Sequence, residues 1–367
     1  MGHDSPLESA TLKSIAEKAG VSIGTVDRVL HGRGRVSTDT EKRVRALLAS
    51  SGYRPNIFAS RLSAGSKRVI AVMMPHPDSD PGYWRQCETG LHEAAEAWKP
   101  MKISVVTAFF DRGTPRSCNE AFAALNAQHP AAWVMTPVSD SLFHPLVAAL
   151  PETSPLVFLD SAFRTDRPHT LIAQDAEQGG RLAARLMALV SPPGSCLLAV
   201  DFANDDEHLR TRTRAFTEYA RGLGREVLAF QHDLTDDGAR RRERAARSLA
   251  NLRRRGAVPG SLFVPNAYVG DYAGLGIPLA GYDLIPRNQE LLETGAIDFL
   301  LHQGPRTMAR TAVELLARHL LFDETLPAQV PQPLDVVMKE NLAAHQSARL
   351  EEVARGLPLD PVSGVVL

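Results

Sequence analysis

Apolar positions change period along this chain. Before residue 67 they recur at helical spacing, and from Lys67 onward short continuous apolar runs alternate with helical stretches. Near the start, two short helices meet at a tight turn, with Ala16 four residues before Gly20 and Val26 six after it. Such a turn needs a small residue facing the neighbouring helix and a glycine that tolerates positive φ. It also needs a β-branched residue on the second helix to close a miniature core. This is the helix-turn-helix requirement, and it presents the second helix, residues 23–30, to a DNA major groove. Ser22 is placed to cap that helix, whose N-terminal N–H groups then face a phosphate. A third helix is expected over residues 38–50, with a Thr38/Glu41 capping box and Val44, Leu47 and Leu48 on one face. Pro55 and Gly65 then bracket one helix of about two turns, too short to stand alone in water.

Beyond Lys67 the pattern predicts strands over residues 69–74, 103–109, 133–136 and 156–159, separated by helices over 85–98, 117–128 and 142–150. Residues 171–175 read as a crossover. The rhythm then repeats, with helices over 177–190, 209–223 and 238–255 and strands over 195–200, 226–230, 261–264 and 278–281. Residues 297–304 lead into a helix that returns to the first half. Continuous apolar strands joined by helices imply parallel sheets covered on both faces. The fold class is therefore α/β: an all-α headpiece and short helix, then two doubly wound parallel-sheet subdomains. Ligands of such folds sit at the carboxyl ends of the strands, here between the halves.

Charge sharpens the division. Residues 1–68 hold twelve Lys/Arg against six Asp/Glu, a net of +6, which leaves −7 for the rest of a chain of net charge −1. A basic head on an acidic body suits a DNA-binding domain joined to a separate globular one, and Arg33 and Arg35 add to that patch. No apolar run reaches the length of a membrane span, and the first ten residues lack the apolar stretch of a secretory signal. Cys87, Cys118 and Cys196 are widely spaced and form no metal pattern, as suits a reducing cytoplasm.

Candidate chemistry lies at the strand ends. Tyr83 and Trp84 follow the first strand of the body, placed either to stack on a sugar ring or, for Trp84, to pack under the helix. Asp78 and Asp80 open a sequence like a calcium loop, but its twelfth position is Thr89 where a bidentate Glu is required, so no metal site is expected. Asp160, Asn266, Asp283 and Gln303 each end or follow a strand, and Arg212 lies among Arg210 and Arg214. Carboxylates, amides and a bidentate arginine are the groups that hydrogen-bond vicinal hydroxyls. The three arginines leave a phosphorylated or acidic sugar open. No Gly-x-Ser-x-Gly, His-Glu-x-x-His or phosphate-binding loop occurs, so neither an enzyme nor a cofactor is expected.

The head resembles the DNA-binding end of the lactose-repressor (LacI/GalR) family. Thr11-Leu12, Ala16, Gly20-Val21-Ser22, Thr25-Val26, Arg28-Val29, Val36-Ser37, Gly52-Tyr53, Pro55-Asn56, Ala59 and Leu62 carry the match. The resemblance implies that Ile23, Gly24 and Arg28 read bases, Arg28 by a bidentate contact with guanine. Asp27 departs from the common serine there, and either reads a cytosine amino group or pairs with a neighbouring arginine. Thr11, Ser22, Thr25, Arg35, Ser37, Tyr53, Asn56 and Ala59 complete the implied DNA-contacting set. The short helix would be a hinge ordered on DNA, with Leu62 wedged into the minor groove.

The body is similar to that family's effector domain and to periplasmic sugar-binding proteins of type I. The resemblance puts Asp160, Arg212, Asn266, Asp283 and Gln303 on ligand positions. Asn-Ala267 stands where the family has Asn-Asp, and only Tyr268 to Ala280 intervene where it has a full helix that contributes to the dimer interface. The expected organisation is a headpiece over 1–54, a hinge over 55–66, a core over 67–341 and a tail over 342–367. Within the core, one subdomain takes about 67–171 and 303–330, and the other 172–302 and 331–341. The tail shows one helical stretch, 342–355, without the leucine heptads of a tetrameric coiled coil. These features imply a cytoplasmic, dimeric, allosteric transcription regulator, in the simplest case a repressor. Its partners would be double-stranded operator DNA and a sugar, polyol or relative. A free solute-binding protein, or an enzyme acting on a sugar, is the alternative reading.

Overall fold

The computed structural model describes residues 12–31, 36–51, 67–202 and 206–345. The chain divides into two compact units, residues 1–65 and 66–367. In the first, α1 (Leu12–Ala19), α2 (Ile23–His31) and α3 (Thr38–Ser50) close over Ile15, Ala16, Ala19, Val26, Val29 and Val44. Gly20 takes φ +63° in the turn, and Val21 N–H donates to Ala16 O at 3.0 Å, which stops α1 and starts α2 one residue beyond Ser22. Ser22 Oγ accepts from Thr25 N at 3.2 Å, the expected cap. α3 spans the expected residues, but its cap lies one residue earlier than the expected capping box. Ser37, with extended backbone, is the cap and accepts from Thr40 N, whereas Thr38 is already helical. Glu41 thus lies too far along to close a capping box, and it pairs with Arg45 instead. The expected hinge helix lies outside the described residues, as does the tail beyond 345, of which residues 342–345 are helical.

The second unit holds two six-stranded sheets. One contains β1 (Arg68–Pro75), β2 (Ile103–Phe110), β3 (Ala132–Met135), β4 (Leu156–Leu159), β5 (Thr170–Gln174) and, returning much later, β11 (Gln329–Gln332). Its helices are α4 (Tyr83–Trp98), α5 (Pro115–Asn126) and α6 (Asp140–Ala148). After α7 (Ala176–Val190) come β6 (Cys196–Phe202), α8 (Glu207–Gly222), β7 (Val227–His232), α9 (Gly238–Arg254), β8 (Pro259–Phe263), β9 (Leu279–Tyr282), α10 (Pro286–Glu293) and β10 (Phe299–His302). α11 (Pro305–Phe322) packs back on the first sheet, and β12 (Asp335–Val337) joins the second.

The strand orders match place for place: β11-β5-β4-β3-β1-β2 and β12-β10-β9-β8-β6-β7. Ladders are parallel throughout except β12 against β10. Both sheets are covered on two faces, which is why β1, β3, β4 and the first five residues of β6 read as continuous apolar runs. Of residues 171–175, expected as a crossover, all but the last belong to β5, and the crossing begins at Asp175, whose side chain caps α7. The chain crosses between halves after β5, β10 and β11. Gln174 ties the crossings together, its Nε2 donating to His302 O at 3.2 Å and Pro333 O at 3.0 Å. Residues 267–280 hold a single 3-10 turn, Ala267–Tyr272, and no α-helix.

Candidate functional site

Each half turns a carboxylate into the cleft by the same backbone device. Asp160 follows β4 with φ 73°, and Asp283 follows β9, the matching strand, with φ 67°. Left-handed backbone is disfavoured for most side chains, but aspartate tolerates it because its short polar arm bonds locally. The neighbouring strand holds each bend in place: Asp160 N–H donates to Ile172 O at 2.9 Å, and Asp283 N–H to Leu301 O at 3.0 Å.

On the second side, Asp283 accepts from Gln303 Nε2 at 2.9 Å, and Gln303 Oε1 accepts from Arg212 Nη2 at 2.5 Å. Arg212, on α8 and only 2% exposed, also donates to Pro265 O at 3.0 Å and lies over the Tyr282 ring at 3.8 Å. Close packing of α7 on α8 makes this possible. A Cβ on Gly180 would sit 2.3 Å from Arg212 O, so a larger residue there would displace the arginine's own backbone. Burial raises Asp283 to about 7, against lowering by Arg212 and Gln303, with the neighbouring Asp160 charge adding to the rise. Asn266 caps the 3-10 turn through Tyr268 N at 3.1 Å and lines the same cavity.

On the first side, Tyr83 OH donates to Asp160 at 2.6 Å. Burial also raises Asp160, opposed by that hydrogen bond and by the nearby Arg212 and Arg112 charges. Trp84 is buried edge-on to Tyr83, with ring centroids 4.9 Å apart, and its Nε1 donates to Asp80 at 2.7 Å. It therefore reaches the cavity wall as a packed side chain held by a carboxylate. The sequence reading missed Asp80 as a site residue, along with Arg112, Asp206, His208 and Tyr268. Arg112, after β2, donates to Asp80 at 2.7 Å and to Asp206 at 3.1 Å, joining the two halves across the cleft. Burial opposes its charge, but the two carboxylates outweigh that and keep it protonated. Tyr268 OH donates to Asp80 at 3.3 Å, and His208 Nδ1 meets Ser161 Oγ at 2.9 Å, two further links between halves. Burial, then the Arg212 and Arg112 charges, pull His208 well below its ordinary range, so it is neutral.

The three arginines of α8 do not act together. Successive helical residues turn by about 100°, so Arg210 and Arg214 lie exposed while Arg212 faces in, and Arg210 pairs with Glu207 at 2.6 Å. Among the described residues no cluster of His, Cys, Asp and Glu is suited to a metal ion, and no helix is long and apolar enough to cross a membrane.

In the headpiece, Ser22, Ile23, Gly24 and Arg28 are exposed, while Thr25 and Asp27 are half-buried. Ile23 is 49% exposed at the start of α2. Arg28 folds back along α2, its Nε donating to Gly24 O at 3.1 Å. Ser37 is exposed and caps α3. Thr11, Arg35, Tyr53, Asn56, Ala59 and Leu62 lie outside the described residues.

Residues 70–324 match the family described as periplasmic binding protein domain, and residues 11–56 match bacterial regulatory proteins of the lacI family. Among curated relatives, the transcriptional regulator AscG of Escherichia coli is 45% identical over 64 residues, covering 17% of this chain and 19% of that protein. The chain thus spans about a fifth of that relative's length. Among solved structures, a LacI-type transcriptional regulator from Bacteroides fragilis covers 76% of this chain and 99% of its own, with TM-score 0.68 and 21% identity. A lac repressor dimer bound to operator and the anti-inducer ONPF covers 90% and 98%, with TM-score 0.59 and 21% identity. At such identity the structural likeness is one of fold. The chain belongs to the periplasmic binding protein domain family, and carries ahead of that domain a helix-turn-helix module of the lacI family of bacterial regulatory proteins.

Proposed function

We propose that this protein is a cytoplasmic transcription regulator, a repressor in the simplest case. It binds operator DNA as a dimer and changes operator affinity when a sugar-like ligand occupies the cleft. The headpiece reads bases through Ile23, Gly24 and Arg28, and the hinge residues around Leu62 fix it on the operator. Tyr83, Trp84, Asp160, Arg212, Asn266, Asp283 and Gln303 receive the ligand, which leaves chemically unchanged. The observation that carries this reading is the Arg212–Gln303–Asp283 relay beside the crossings between halves. A ligand that bonds to it and to Asp160 touches both halves at once, so binding biases their closure. Lac repressor bound to operator and ONPF, a protein of the same fold, shows the combination in one molecule. Coupling of this kind is reciprocal: DNA must alter ligand affinity by the factor by which ligand alters DNA affinity.

Selection from randomised duplexes with purified full-length protein tests the reading. An enriched, roughly palindromic site with half-sites about one helical turn apart is expected. Retention of all sequences alike would contradict it, and so would recovery of a chemically altered sugar.

A further inference from the structure

Charges inside the cleft do not balance. Four carboxylates line it (Asp80, Asp160, Asp206 and Asp283) against the guanidiniums of Arg112 and Arg212. Arg112 is fully engaged by Asp80 and Asp206. Arg212 touches no carboxylate and is held by Pro265 O, Gln303 Oε1 and the Tyr282 ring. Asp160 and Asp283, 7% and 2% exposed, therefore face the cavity with no Arg or Lys in contact among the described residues. Their bonded neighbours are neutral donors, Tyr83 OH and the Gln303 amide, and His302 Nδ1 stands 3.9 Å from Asp283. Burial penalises both charges, and Asp160 adds to the rise of Asp283. Arg212 opposes the rise of each from nearby but bonds to neither, so a proton or a further cation beside the carboxylates is favourable. Arg212 lines the same cavity, and its Nε–H is buried with no acceptor, a donor ready for a ligand oxygen.

Resting on the reading of the cleft as a sugar-type site, we propose that its ligand is a polyol bearing an ammonium group, with the nitrogen between Asp160 and Asp283 and a hydroxyl oxygen on Arg212 Nε. Of the three arginines that left an anionic sugar open in the sequence, Arg210 and Arg214 are exposed and do not line the cleft. Arg212 faces four carboxylates there while Arg112 is flanked by two of them, which disfavours an anionic ligand. The groups facing this charge pair are Tyr83 and Cys87 from α4, Arg212 from α8, Arg112 after β2, and His302 with Gln303 at the end of β10. Asp283, held near 7 by its burial, is partly protonated in the free site, and an arriving ammonium displaces that proton.

Calorimetry on the full-length protein near neutral pH tests this, using matched sets of hexoses, 2-amino-2-deoxyhexoses and hexose 6-phosphates. In whichever skeleton binds, the amine is expected to bind about tenfold or more tighter than its hydroxyl counterpart, the effect of roughly one pKa unit of charge interaction. Heats measured in buffers of different ionisation enthalpy should show net proton release with the amine, a readout that needs no variant. Asp283→Asn and Asp160→Asn should each bring the amine-to-hydroxyl ratio towards one. A hydroxyl or phosphate form that binds as well as the amine, with no proton released, overturns the charge assignment and leaves the sugar reading standing. Failure of every amine, neutral and phosphorylated sugar to bind overturns both.

Discussion

Asp160 and Asp283 occupy equivalent places in the two halves, each the first residue beyond the same strand of its sheet and each with left-handed backbone. What receives them differs. Asp160 takes hydroxyl hydrogen bonds, from Tyr83 and Ser161. Asp283 is backed by an amide, a buried guanidinium and an aromatic ring. The second half is thus the more heavily bonded anchor, and the first a lighter wall whose other groups reach across the gap. Asp80 and Asp206, which follow the equivalent strands β1 and β6, show the same asymmetry: one arginine, Arg112 of the first half, serves both.

Removing the anchor is the most severe way to break that contrast. Arg212→Met should abolish ligand binding, a loss of about 100-fold or more, because Gln303 loses its buried donor and no longer holds Asp283 in place. Ligand-free operator binding should survive, as a gel-shift titration would show. Arg112→Met comes next. It leaves Asp80 and Asp206 facing each other without a cation, so the closed cleft should lose population, read as a larger radius of gyration by X-ray scattering. On the lighter side, Tyr83→Phe removes one hydrogen bond to a buried carboxyl and should weaken ligand by about tenfold, within the range for such a bond.

Asp283 also gives a pH signature that separates the two sides. Its folded-state pKa is raised from 3.8 to about 7, so the folded protein holds a proton that the unfolded chain releases. That stabilisation is complete below about pH 4 and falls away as pH rises through about 7. Asp283→Asn should flatten this part of the stability curve in denaturant titrations at several pH values. The smallest expected effect lies in the headpiece, where Ser37→Ala removes the α3 cap at a cost of about 1 kcal/mol. Thr38→Ala should change little, and the reverse order of effects would restore the cap to Thr38.

Much of this was legible in advance, for reasons that also mark the boundary. The buried parallel strands announce themselves as unbroken apolar runs such as Val-Ile-Ala-Val-Met-Met, and the turn around Gly20 by three residues at fixed spacing. Asp160, Arg212, Asn266, Asp283 and Gln303 were named from strand ends and family resemblance, and all five line one cavity. Arg112 was not legible because its meaning lies in two carboxylates, one of them 94 positions away, brought together only by closure of the halves. The edge strand β11 escaped notice because it is short, half-exposed and carries Pro331, which only an edge tolerates. The capping box failed by a single residue, since Ser37 and Thr38 are both good caps and only the backbone decides between them.

The central claim is that occupancy of the cleft and grip on DNA are linked. Its most direct test is the operator affinity of the full-length protein, by fluorescence anisotropy, with and without a saturating ligand found by calorimetry. A ligand-dependent shift of at least about fivefold is expected, at the low end of allosteric coupling, and it should vanish in Arg212→Met. Equal operator affinity with the cleft filled and empty, in protein that demonstrably binds both partners, would contradict it.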